Sequence, residues 1–130
     1  MKTSELTGHA LDWAVAKCEG ATDFWYDTIA TYWVTLDGKD RALRSGWAQS
    51  YLPSIEWAQG GPIVEREKLC VGYKHQADRP INNPATTCWA RTTAGGYLSH
   101  GPTPLIAAMR CYVASKLGDN VEIPEKENDE

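Results

Sequence analysis

The sequence predicts an α+β fold, a small antiparallel β-sheet of three or four strands packed against N- and C-terminal helices. Three observations carry this. Leu6, Ala10, Trp13, Ala14 and Lys17 fall on one helical stripe near the start, broadened by Leu11, Val15 and Cys18. The stretch from Gly101 to Gly118 is written as a complete helix with its own start and stop. Between them, β-branched and aromatic runs alternate with turn residues and show no internal repeat. A chain of 130 residues is one domain, set at 1–121, followed by an acidic tail at 122–130 expected to be frayed and solvated.

The first helix is expected over Thr3–Glu19, with Thr3 as its cap and Gly20 as its stop. Thr28–Leu36 reads as a strand, with a helix as the alternative, and Asp37-Gly38 reads as the turn after it. Lys39–Ser50 carries Lys39, Arg41 and Arg44 and reads as a surface connection or short helix. Pro53-Ser54 opens a helical turn, with Ser54 as the cap. Gly60-Gly61-Pro62 is expected to break the chain before a second turn through Ile63, Val64 and Arg66. Leu69–Lys74 is a strand, Asp78–Pro84 a long turn, Thr86–Arg91 a second strand, and Tyr97–Ser99 a short strand after the Gly95-Gly96 turn. In the last helix Pro104 pushes Thr103 into extended backbone, where its hydroxyl can accept a free amide of the first turn. Gly118 supplies the exit.

The net charge of −4 is concentrated at the end: Glu122, Glu125, Glu127, Asp129 and Glu130 against Lys126 account for all of it. The body is near neutral, which argues against broad nucleic-acid binding. Met1–Glu5 leads into a helix without an apolar leader, and no run approaches the length of a membrane span. A cytosolic location follows as an expectation. The four cysteines Cys18, Cys70, Cys88 and Cys111 form no CxxC pair and read as buried thiols. Their spacing to His9, His75 and His100 gives zinc no support, and no cofactor is expected.

Two places offer polar chemistry. Gly60 and Gly61, flanked by Trp57 and Gln59, either allow a sharp bend or let a ligand approach the backbone, with freed amides ahead of Ile63 for a phosphate or carboxylate. No Walker lysine follows. Arg66 is a candidate anion contact, whereas Glu65 and Glu67 diverge by about 100° per residue on a helix and do not face one cleft. His100 and Thr103 stand at the positive end of the last helix, where an imidazole, a hydroxyl and free amides could meet an anion. Trp57, Trp47 and Tyr51 read either as packing or as a stacking platform for a base or sugar. The expected ligand-binding set is therefore Trp57, Gln59, Gly60, Gly61, Arg66, His100 and Thr103, meeting in one hollow, with no catalytic or metal-binding residue assigned.

Ser54–Glu67, the Gly101–Gly118 helix, and Thr3–Gly8 followed by Ala10–Ala16 resemble the NinX-like proteins of tailed phages. The resemblance implies an α-β-α sandwich domain and an accessory protein made in a bacterial host, and it carries over no catalytic residues. Together with the residues above it leads to a non-enzymatic binding module that holds a phosphate-bearing, nucleotide-type host ligand in the host cytoplasm, in the manner of counter-defence. The alternatives are an interaction module that inhibits a host protein through an exposed Trp/Tyr patch, and a small hydrolase using His100 with Glu65 or Glu67. A second copy of the chain stays open as a further partner.

Overall fold

A computed structural model of the chain describes residues 1–26, 31–44, 46, 49–74 and 87–123. The class is α+β, with two three-stranded antiparallel sheets and three α-helices among the described residues. Trp47, His75, the expected turn at 78–84, the first part of the expected strand at 28–36 and the tail from 124 lie outside the described residues.

The last helix, α3 (Pro104–Leu117), is the axis of the molecule. Thr103 is extended and its hydroxyl accepts the Ile106 N–H at 3.1 Å, while Pro104 fills the first helical position. Leu105 and all residues from Ala107 to Ala114 are buried. Such a helix must be covered on every side. One side is covered by the sheet of β4 (Leu69–Tyr73), β5 (Cys88–Thr92) and β6 (Leu98–Gly101), joined in that order. The other is covered by α1 (Gly8–Cys18) and α2 (Trp57–Glu67).

The first helix begins later than expected because Thr3 has another task. Met1 and Thr3 pair with Val121 and Asp119, and the buried Thr3 hydroxyl donates to the Gly118 carbonyl at 2.6 Å. A short 3-10 turn (Thr3–Glu5) precedes α1, whose residues Ala10 to Ala16 are all buried. Besides meeting α3, α1 carries the second sheet: His9 stacks on Tyr32 at 4.4 Å and Trp13 lies against Phe24 at 4.9 Å. That sheet consists of β1 (Asp23–Tyr26), β2 (Tyr32–Leu36) and β3 (Lys39–Ala42). The layers thus run sheet, helices, sheet, with the helices inside, the reverse of the α-β-α order that the resemblance implies.

The basic segment after Asp37-Gly38 opens as a strand, not as the expected connection or short helix. Asp37 and Gly38 both take positive φ (54° and 78°), the two-residue turn that matches strand twist. It sets Leu36 opposite Lys39, and pairing continues to Trp33 and Ala42.

The break expected at Gly60-Gly61-Pro62 is also overturned, since α2 runs unbroken through all three residues. The first helical bond of α2 is Gly60 N–H to Glu56 C=O at 2.8 Å, so Pro62 forfeits a bond only one turn into the helix. A Cβ on Gly60 would stand 2.2 Å from the Pro53 carbonyl oxygen and 2.7 Å from Leu105 Cδ1. The glycine is there for close packing. Ser54 does not cap α2: Glu56 occupies the capping position, without a side-chain bond, and the Ser54 N–H is taken by Asp12.

Candidate functional site

The expected site residues separate along α2 and α3, which run side by side in the same sense. Gly60 lies against Leu105 in the first turn of α3, while Arg66 reaches Tyr112. Nine residues separate Thr103 from Tyr112, about 13 Å of helix rise. The structure therefore does not join Arg66 to His100 and Thr103 in one hollow.

The side chains of Gln59, Arg66 and Thr103 already have internal tasks. The Gln59 side chain accepts the Leu52 N–H and donates to the Ser50 carbonyl at 2.9 Å, clamping the loop in front of its own helix. The Thr103 oxygen is the α3 cap. His100 is half-buried on β6, and its backbone carbonyl accepts from Arg110 at 2.8 Å. Gly61 is half-buried, with the Trp57 ring in ordinary contact distance of where a Cβ would stand. Tyr51, expected near a stacking platform, is buried with the Arg41 guanidinium 5.3 Å from its ring centre. Trp57 is open at 53% exposure, beside Ile55 at 56%, and has no polar task of this kind.

Arg66 is the centre of a polar clasp. Its two terminal nitrogens bind both oxygens of Glu19 (3.0 and 2.6 Å), one of them also reaching the Tyr112 hydroxyl at 3.1 Å, and its Nε donates to Glu67 at 2.9 Å. Lys116 closes the group 3.5 Å from Glu67. The Tyr112 hydroxyl donates to Glu19. Burial works against the Glu19 charge, yet the hydrogen bonds from Arg66 and Tyr112 outweigh it and hold the carboxyl below its ordinary range. Burial, followed by the neighbouring Glu19, pushes the Tyr112 phenol up. Arg66 meets an anion as expected, but the anion is the protein's own: a bidentate carboxylate occupies its fork.

Two buried charges went unnoticed in the sequence. Asp12, 1% exposed, accepts the Ser54 N–H at 2.9 Å, and burial pushes its carboxyl up to about 6. Arg110, 8% exposed, donates to the carbonyls of Leu6 and His100, both at 2.8 Å, so it staples the N-terminal segment to β6. Burial lowers its pKa. Each is a lone charge inside an apolar helical run, and that isolation was the available signal.

A hollow of about 400 Å³ opens away from all these groups. Its walls are the N-terminal Lys2–Ser4, the start of β6 with the turn before it, and Ala114, Asp119 and Asn120 at the end of α3. Among the described residues no cluster of His, Cys, Asp and Glu suits a metal ion, and no helix is long and apolar enough to cross a membrane.

No curated protein matches the sequence. The family described as Bacteriophage P22, NinX matches residues 2–116, which takes in both described sheets, α1, α2 and α3 up to its last residue. The chain belongs to this NinX family of phage proteins, consistent with a small phage accessory protein.

Proposed function

We propose that the protein acts by binding, without turnover, and that it docks on a host protein in the bacterial cytoplasm through the entrance of α2. The observation that carries this reading is the pair Ile55 and Trp57, each more than half exposed on a stretch otherwise tightly held. The loop beneath them is buried from Tyr51 to Ser54 and fixed by Asp12 and Gln59. An exposed tryptophan on a rigid support loses little freedom on binding, and such residues dominate interface energetics. Glu56 is exposed between them. The complementary surface is therefore an apolar pocket with a basic rim, as in a host enzyme blocked by its inhibitor.

Support for a nucleotide held by Arg66, His100 and Thr103 falls away with the groups that would hold it, since Glu19 and the α3 amide already engage the first and last. A photo-crosslinking side chain at position 57, in cells producing the protein, tests the docking surface against the same side chain at Glu65, exposed on the same helix. One discrete adduct from position 57 and none from 65, with co-purification abolished by the double change Ile55→Ser and Trp57→Ser, is the expected result. Equal labelling from both positions, or none from 57, would refute the reading.

A further inference from the structure

We infer that the hollow beside β6 is a second binding site, one that receives an extended peptide segment. Strand register decides which backbone groups are open there. Ser99 pairs with Ala90 and Leu98 with Arg91, and the Thr92 N–H donates to the Tyr97 carbonyl. In an antiparallel ladder, bonded and non-bonded pairs alternate, so Leu98 is a non-bonded pair and turns its N–H and C=O outward. Because β6 is last in its sheet, no strand among the described residues meets those two groups.

The edge is closed at one end and open at the other. At His100, the Arg110 guanidinium fills the gap between the β6 carbonyl and Leu6. Two residues earlier, Leu98 faces the 400 Å³ hollow whose far wall is Lys2–Ser4. Ser99, 7% exposed, lines it too.

An amide N–H and C=O from one residue, side by side on a strand edge, are met by the backbone of another extended chain. Such a chain places successive side chains on opposite faces. One side chain would enter the hollow beside Ser99 and Ala114. The next would lie over Leu98, which is 60% exposed, and beside the Tyr97 ring. Lys2 and Asp119 stand at the rim for the charges of the flanking residues. The site differs from the α2 entrance in position and chemistry, so the two readings stand or fall separately.

The test is selection of a displayed random heptapeptide library on the full chain, followed by titration of a selected peptide into the ¹⁵N-labelled protein. The expected result is a shift of the Leu98 and Ser99 amides, with the Leu98 amide newly protected from exchange. Methylating the one peptide nitrogen that meets Leu98 should weaken binding about tenfold, as the loss of one main-chain hydrogen bond requires, and this leaves the protein unaltered. Leu98→Pro should weaken binding at least as much from the protein side, since it deletes the outward N–H together with the leucine side chain, while the non-bonded pairing with Arg91 loses no ladder bond. A selection without binders, binders that shift Ile55 and Trp57 but not Leu98, indifference to peptide methylation, or protection of Leu98 by a second copy of the chain without peptide would each overturn the inference.

Discussion

At its start α2 is held by steric fit. Gly60 presents bare backbone to Pro53 and Leu105, and the Gln59 amide and the Asp12 carboxylate fix the loop it rests on. At its end the same helix is held by charge, through Arg66, Glu19, Tyr112, Glu67 and Lys116. The first fastening excludes water and tolerates no added atom. The second stands half in solvent, with the Arg66 side chain 50% exposed, and has long side chains that can readjust. Positional tolerance should therefore rise steeply along eleven residues of one helix.

The largest expected effect is Gly60→Ala. Its new methyl would meet a backbone oxygen at 2.2 Å, which no rotamer change relieves, so helix and loop must part. Overpacking of this kind costs about 3 kcal/mol or more, read as a drop in the urea midpoint. A loss below about 1 kcal/mol would mean that the start of α2 is as adjustable as its end.

Next comes the pH dependence carried by Asp12. Its carboxyl titrates at about 6 when folded against 3.8 for an unperturbed aspartate, so the folded state binds the proton more tightly. The stability this confers is full below the lower value and is lost as pH rises through the upper one. The difference between the two values corresponds to on the order of 3 kcal/mol. Asp12→Asn keeps an oxygen for the Ser54 N–H and removes the charge. The mutant should therefore gain on the native protein between pH 4 and 6 and hold a constant lead above. Parallel stability curves across that range would show that the buried charge is compensated.

Much of the fold was legible in the sequence. The α3 cap, the Asp37-Gly38 turn and the strands at 69–73 and 88–92 each follow from local chemistry that no tertiary contact overrides. The misreadings share one cause. Gly60-Gly61-Pro62 carries the composition of a break, and only the presence of Pro53 and Leu105 turns bare backbone into a packing surface. Thr3 has the makings of a cap, but its partner is Gly118, 115 residues away. The proposed site residues were chosen for unspent hydrogen-bonding capacity, and Glu19, the Ser50 carbonyl and the Ile106 amide could not be seen to spend that of Arg66, Gln59 and Thr103. Leu98 and Ser99 carried no signal, because a free edge is a property of strand order and not of residue type.

At the charged end, Tyr112→Phe removes a buried hydroxyl that donates to Glu19 and accepts from Arg66. Hydrogen bonds to charged groups are worth roughly 2 kcal/mol, and the midpoint should fall accordingly with an unchanged denaturant slope. Arg66→Ala should cost less, about 1 kcal/mol, because the pair is partly solvated, and roughly 1 M salt should erase much of the difference. A salt-insensitive loss of several kcal/mol would place the clasp among the sterically fixed contacts and abolish the contrast.

The smallest effect has the opposite sign. Gly61 is next to Gly60 in the chain, but a Cβ there meets nothing nearer than Trp57 Cε3 at 3.6 Å, an ordinary contact. Gly61→Ala therefore reduces the freedom of the unfolded chain without strain in the folded one, which is worth about 0.5–1 kcal/mol in favour of folding. Adjacent glycines of one motif should thus move the midpoint in opposite directions. If both alanines destabilise, the pair is required for backbone flexibility, and the packing account of Gly60 loses its ground; if only Gly60→Ala does, the approach of Pro53 and Leu105 is what the motif serves.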